Sequence, residues 1–189
     1  MTPERPFTIG LACEALGIKV ERFKTLRRRD HLPFIDQSPE ASEQYQLEPS
    51  PAGLIEHNRA IAETADRSGW IRYTVEEIAL LSAQIELVDV MKLDVAAASR
   101  MLANARGTYE GEHPATAKPF ADIWIGAVIF GGDDEGRAHI GGTLEEVSAR
   151  IAKEAAAMAV EYGSAPSQIV LVNLSKHFRK IRAALAKVV

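Results

Sequence analysis

Residues 7–32 read FTIGLACEALGIKVERFKTLRRRDHL. Thr8 has the side chain of a helix N-cap, and Ile9, Ala12, Cys13 and Leu16 then recur at helical spacing, which makes one face of a short helix apolar. Gly17 suits the left-handed conformation that ends a helix, and Ile18 supplies an apolar plug in the turn. A second helix over Val20 to Arg29, at about 100° per residue, turns Val20, Phe23 and Leu26 inward and Glu21, Arg22, Lys24, Thr25, Arg28 and Arg29 outward. Arg27 lies nearer the Phe23 side, where its stem can pack while its charge reaches water. Two short amphipathic helices joined by a tight turn are the layout of a helix-turn-helix. A solvated helix would carry the same arginines; the short helix and turn before it favour a contact surface.

This stretch resembles the N-terminal pattern of the MerR-type winged-helix family, T-I-G-x-L-A-x-x-x-G-V followed by a helix that ends near R-x-G-L. Thr8, Ile9, Gly10, Ala12, Cys13, Gly17, Ile18, Phe23, Lys24 and Leu32 follow it without a gap, with Ala12 in the place of Leu and Cys13 in the place of Ala. A second stretch, GWIRYTVEEIALLSAQIELV from Gly69, resembles the family's wing strand and following helix, Y-[ST]-x-x-[DE]-[LIV], through Tyr73, Thr74, Glu77 and Ile78. The family's wing arginine stands two residues before the tyrosine; here Ile71 is there and Arg72 comes one later. Pro33 to Ser68 also lengthen the connection to the wing.

The resemblance implies a sequence-specific DNA-binding transcriptional regulator, bacterial or phage-like, that acts as a dimer. Double-stranded DNA and RNA polymerase are its implied partners. The residues that would contact DNA are Lys19, Arg22, Lys24, Thr25, Arg28 and Arg29 on the second helix, with Arg72 and Tyr73 on the wing. An architectural DNA-binder of the excisionase or small-terminase type resembles the same winged-helix class and stays open beside it. So does a protein-interaction module whose basic helix binds an acidic partner.

With 189 residues, 47% of them hydrophobic and 25% charged, the chain has the composition of one ordinary globular domain or two small ones. No apolar run approaches a membrane span and the start has no signal-peptide pattern, so a cytoplasmic, nucleoid-associated protein is expected. The lone Cys13 falls on the inner face of its helix and reads as a core residue. A net charge of −4 is unevenly spread: residues 7–34 carry six Lys/Arg against three Asp/Glu, and 169–189 carry five against none. DNA binding depends on such a local patch rather than on the sum.

Further along, Thr74 and Glu77 form a capping box for a helix with Val75, Ile78, Leu81, Ile85 and Val88 on one face, and Asp94 caps a shorter one. Pro33 to Pro51 reads as a loop, Leu54 to Arg67 as a helix that braces the wing or reaches along DNA, its acidic charge favouring bracing, and Asn104 to Pro119 as a boundary. After it, Ala121 to Phe130 reads as a strand, GGDDEG as a turn and Arg137 to Ile140 as its hairpin partner. Thr143 and Glu146 make another capping box before a stripe of Leu144, Val147, Ile151, Ala155, Met158 and Tyr162, which Gly163 ends. Gln168 to Val172 is a buried-type strand, and Ser175 caps a last helix with Phe178, Ile181, Leu185 and Val188 inward and Lys176, Arg179, Lys180, Arg182 and Lys187 outward.

The expected fold is therefore α+β. It comprises a MerR-like winged helix-turn-helix over 1–104 with an insertion at 33–68, a linker at 105–119, and a small α/β domain over 120–189 built as β-hairpin, helix, strand and helix. The acidic run Asp133, Asp134, Glu135 lacks the alternating ligands of a calcium loop, and the histidines at 31, 57, 113, 139 and 177 have no paired spacing. No phosphate loop or nucleophile elbow is present, so neither an enzyme, a cofactor nor a metal is expected. Since the family's long dimerising helix is missing after Leu102, residues 120–189 are expected to mediate self-association or to sense a signal. The stripe on the helix after Thr143 is either the dimer face or the domain's own core, since a helix beside a small sheet must bury one face. A chain ending near Arg106 is expected to be monomeric, with weaker binding to two half-sites.

Overall fold

The computed structural model describes residues 7–34, 72–105, 121–130 and 137–188. Its elements are β1 (Phe7–Thr8), α1 (Ile9–Leu16), α2 (Val20–Arg28), β2 (Arg72–Tyr73), α3 (Val75–Asp89), α4 (Val95–Ala105), β3 (Trp124–Ile129), β4 (Arg137–Gly142), α5 (Leu144–Tyr162), β5 (Gln168–Asn173) and α6 (Leu174–Val188). This is a mixed fold of helices with two small antiparallel sheets, in agreement with the α+β expectation. Among the described residues, no helix is long and apolar enough to cross a membrane. Most of the 33–68 insertion, the helix read over 54–67, nearly all of the 105–119 linker and the turn at 131–136 lie outside the described residues.

The three-stranded sheet has the order β4-β3-β5 with every pair antiparallel. Alternation along the central strand sends Ile123, Ile125 and Ala127 to one face and Trp124, Val128 and Phe130 to the other. On the first face, joined by Val170 and Val172, α3 and α4 pack through Leu80, Ala83, Leu87, Ala98, Met101 and Leu102. On the second, α5 packs through Val147 and Ile151. Gly126 permits that approach: a Cβ there would stand 2.5 Å from Ile151 Cδ1 and 2.9 Å from Val147 Cγ1.

The stripe that could serve either as a dimer face or as the domain's own core is turned inward. Val147 and Ile151 are buried, and Ala155 and Met158 pack against the same cluster, because a helix beside a small sheet must cover it. Only the stripe's ends are open, Leu144 at 46% and Tyr162 at 44% exposure, with the Tyr162 ring 5.4 Å from that of Phe130.

Helix α6 leaves the sheet without a loop. Its cap is Asn173, whose Oδ1 accepts from the Lys176 N–H at 2.8 Å, whereas Ser175, the residue expected to cap it, accepts from the Ile123 N–H at 2.9 Å and ties the helix to β3. Phe178, Ile181 and Leu185 then enter one cluster with Ala12, Cys13, Phe23, Tyr73, Ile78 and Leu81. Elements on both sides of the 105–119 boundary thus share their cores: α4 with the sheet, and α6 with α1 and α3.

Local signals survive intact. Thr74 and Glu77 exchange hydrogen bonds at 3.1 and 2.8 Å, Thr143 and Glu146 at 3.4 and 2.8 Å, and Asp94 Oδ1 accepts from the N–H groups of Ala96 and Ala97, both at 3.0 Å. Burial pushes the Cys13 thiol up to about 11, which suits a core residue rather than a reactive thiolate.

Candidate nucleic-acid interface

Helix α2 is short, and its position is set from both ends. Thr8 Oγ1 accepts from the Leu11 N–H at 3.3 Å to start α1, and Gly17, at φ 69°, ends it with its N–H on the Glu14 carbonyl at 3.1 Å. Ile18 then donates to the Cys13 carbonyl at 3.0 Å, which closes the turn into α2. Phe23 is 1% exposed, with its ring edge-on to Tyr73 at 5.0 Å, while Val20 and Leu26 flank it. Beyond Arg29 the chain folds back through Asp30 at φ 54°, and the His31 N–H reaches the Leu26 carbonyl at 2.9 Å. Two buried side chains hold this exit: Gln84 Nε2 donates to the His31 carbonyl at 2.6 Å and Ser99 Oγ to the Leu32 carbonyl at 2.8 Å.

On this clamped helix the outward residues fall into two sets. Arg22 meets Asp89, the last residue of α3, through Nη1–Oδ2 at 2.9 Å and Nη2–Oδ1 at 2.6 Å. That double hydrogen bond holds the Asp89 carboxyl below the usual carboxylate range and raises the Arg22 guanidinium. Lys24 lies 3.6 Å from Glu21 one turn back, and Thr25 Oγ1 donates to the Glu21 carbonyl at 2.8 Å. By contrast Lys19, Arg28 and Arg29 are exposed, and among the described residues their side chains meet no ion-pair or hydrogen-bond partner.

The two residues expected on a wing separate. Arg72 is exposed on the two-residue strand that pairs with Phe7 and Thr8, but Tyr73, its neighbour on the opposite face, is 2% exposed between Phe23 and Phe34. Tyr73 is a core residue and presents no surface to a ligand. Of the sequence-derived set, the structure therefore brings Arg22, Lys24, Thr25 and Arg28 onto one helix with Lys19 and Arg29 at its two caps, leaves Arg72 on the adjoining ribbon and withdraws Tyr73. Asp89 escaped notice because it lies 67 residues from Arg22 in sequence, with no local pattern to mark it.

The second basic helix, α6, is more deeply packed. Arg179 grips Asp122 with both Nη atoms at 2.7 Å, an Asn173 amide adds a third bond at 2.9 Å, and the Asp122 carboxyl is held below its usual range by Arg179 first. Lys176 lies 3.9 Å from Glu86. Beneath them the His177 ring is 2% exposed, with Nδ1 2.9 Å from Ser82 Oγ and Nε2 3.3 Å from Glu86; burial lowers its pKa to about 4, so it is neutral at pH 7.

Comparison with known protein families, curated proteins and solved structures gives no match.

Proposed function

We propose that the protein is a sequence-specific DNA-binding regulator of the MerR-like winged helix-turn-helix kind, with α2 as the recognition helix in the major groove. The observation that carries this reading is the set of exposed cations at the two ends of a helix whose start and exit are both fixed, Lys19 at its start and Arg28 and Arg29 at its end, which meet no partner among the described residues. Preformed, unneutralised charge on a rigid element is what a phosphate backbone rewards, since every cation it meets releases counterions. The local excess of base over acid in residues 7–34 supports the same reading, as does Arg72 on the adjoining ribbon. Nucleoid association and contact with RNA polymerase follow from it as part of the proposal.

Pairing on two half-sites would double the contact of one short helix. The stripe of α5 that suggested a dimer face is committed to the sheet, so self-association would use another surface. Selection of duplex sites from a random pool by the full-length protein tests the function. A recovered motif supports a sequence-specific regulator, uniform binding of all duplexes supports an architectural role, and no binding at any salt concentration contradicts both.

A further inference from the structure

The clasp between Arg22 and Asp89 distinguishes one outward residue of α2 from the others. Both side chains are partly open to water, 39% and 44% exposed, where an ion pair, even a bidentate one, contributes modestly to folding. Asp89 is moreover the last residue of α3, an end at which the helix dipole disfavours negative charge. Capping does not account for an acid at that position, and the stability that the pair contributes is modest. What the pair does accomplish is geometric: it fixes an otherwise flexible guanidinium. The fork has five donors in one plane. Asp89 occupies the end made by Nη1 and Nη2, which leaves the side edge, Nε with the second hydrogen of Nη2, without a partner among the described residues. Arg22 is also the third residue of α2, in the N-terminal part of the helix, the part that reaches base edges when such a helix enters the major groove.

Accepting α2 as the recognition helix, we propose that Asp89 is a positioning residue that holds Arg22 to read a single guanine, the free edge donating to the paired O6 and N7 acceptors. Guanine is the base that offers two acceptors side by side in the major groove, and a bidentate arginine is its matching donor. The clasp removes in advance the rotamer freedom such a contact would otherwise have to freeze. Arg28 and Arg29, with nothing to orient them, suit phosphate contacts, which carry no sequence information. One helix thus divides reading from holding.

The test is selection of duplex sites by full-length wild type, Arg22→Ala, Asp89→Ala and Asp89→Asn, followed by titrations at one salt concentration on the selected site and on variants with each base pair changed. Expected is one guanine position at which the preference falls roughly tenfold or more in both Arg22→Ala and Asp89→Ala, with other positions unchanged. Asp89→Asn, which keeps the shape and half of the acceptor set, should fall between, and all variants should melt as wild type does. The inference is overturned if Asp89→Ala keeps the full guanine preference. It is also overturned if that variant binds every duplex more tightly, since Asp89 would then only mask the charge of Arg22, or if Arg22→Ala weakens all sequences alike. A wild-type protein that selects no duplex overturns the DNA reading itself, and with it this one.

Discussion

Helices α2 and α6 share a sequence pattern, arginine and lysine opposite an apolar stripe, yet they sit in the molecule in opposite ways. In α2 only Phe23 is fully buried, whereas α6 buries Leu174, Ser175, His177, Phe178, Ile181 and Leu185. Each helix commits two of its cations, Arg179 to Asp122 and Lys176 toward Glu86 on α6, Arg22 to Asp89 and Lys24 toward Glu21 on α2, but Arg28 and Arg29 at the end of α2 meet no partner among the described residues. A basic amphipathic helix can therefore be a strut or a contact surface. Which one depends on how many of its residues are already committed, a property of packing rather than of periodicity.

The strongest way to break the comparison is to remove the strut. A chain ending near Arg106 loses the sheet beneath α4 and the residues Phe178, Ile181 and Leu185 that close the cluster around Phe23. It should lack a cooperative melting transition by calorimetry; a sharp transition would mean that the N-terminal helices hold together without α6. Phe178→Ala is the milder form. With Phe178 1% exposed, it should destabilise by about 3–5 kcal/mol in a denaturant titration, and Phe23→Ala by a similar amount. A neutral Phe178→Ala would remove α6 from the core.

Acid provides the next largest effect. The pKa of His177 in the folded state, about 4, lies below its ordinary 6.5, so the unfolded chain takes up the proton first. Stability should be fully present above pH 6.5 and decline as pH falls toward 4, by on the order of 2–3 kcal/mol, with Glu86 limiting the loss and Lys176 and Lys180 adding to it. His177→Gln should flatten the stability profile in that window. A profile unchanged by the substitution would place His177 in contact with water. The smallest effect belongs to the turn before α2: Gly17→Ala should destabilise by about 1–2 kcal/mol, because φ is 69° and no neighbouring atom would clash with the added methyl.

Much of this architecture was legible in short range. Thr8, Thr74, Asp94 and Thr143 announce their helix starts because capping is settled within three or four residues, and Gly17 and Gly163 mark ends because both take a positive φ. The partners of a face were not legible. Periodicity gave α3 a single stripe, but residues 77–84 are all buried, since the helix is enclosed by the sheet, α1 and α6. The run Ile78, Ala79, Leu80, Leu81 was the available signal, apolar on more than one side. Tyr73 was misplaced by following the family's wing, although the alternation of a strand opposes it to Arg72. The clasps of Arg22 on Asp89 and Arg179 on Asp122 join residues 67 and 57 positions apart, a separation over which one sequence holds no pairing information.

The central claim, that α2 and not α6 faces DNA, is tested most directly by the salt dependence of binding to a selected duplex, measured by fluorescence anisotropy for wild type, Arg28→Ala/Arg29→Ala and Lys180→Ala/Lys187→Ala. Each lost phosphate contact lowers the slope of log affinity against log salt concentration by about one. The account expects the Arg28 and Arg29 double variant to melt as wild type does and to lose about two units of slope, with the α6 variant unchanged. An unaltered slope in the first variant together with a reduced one in the second would contradict it.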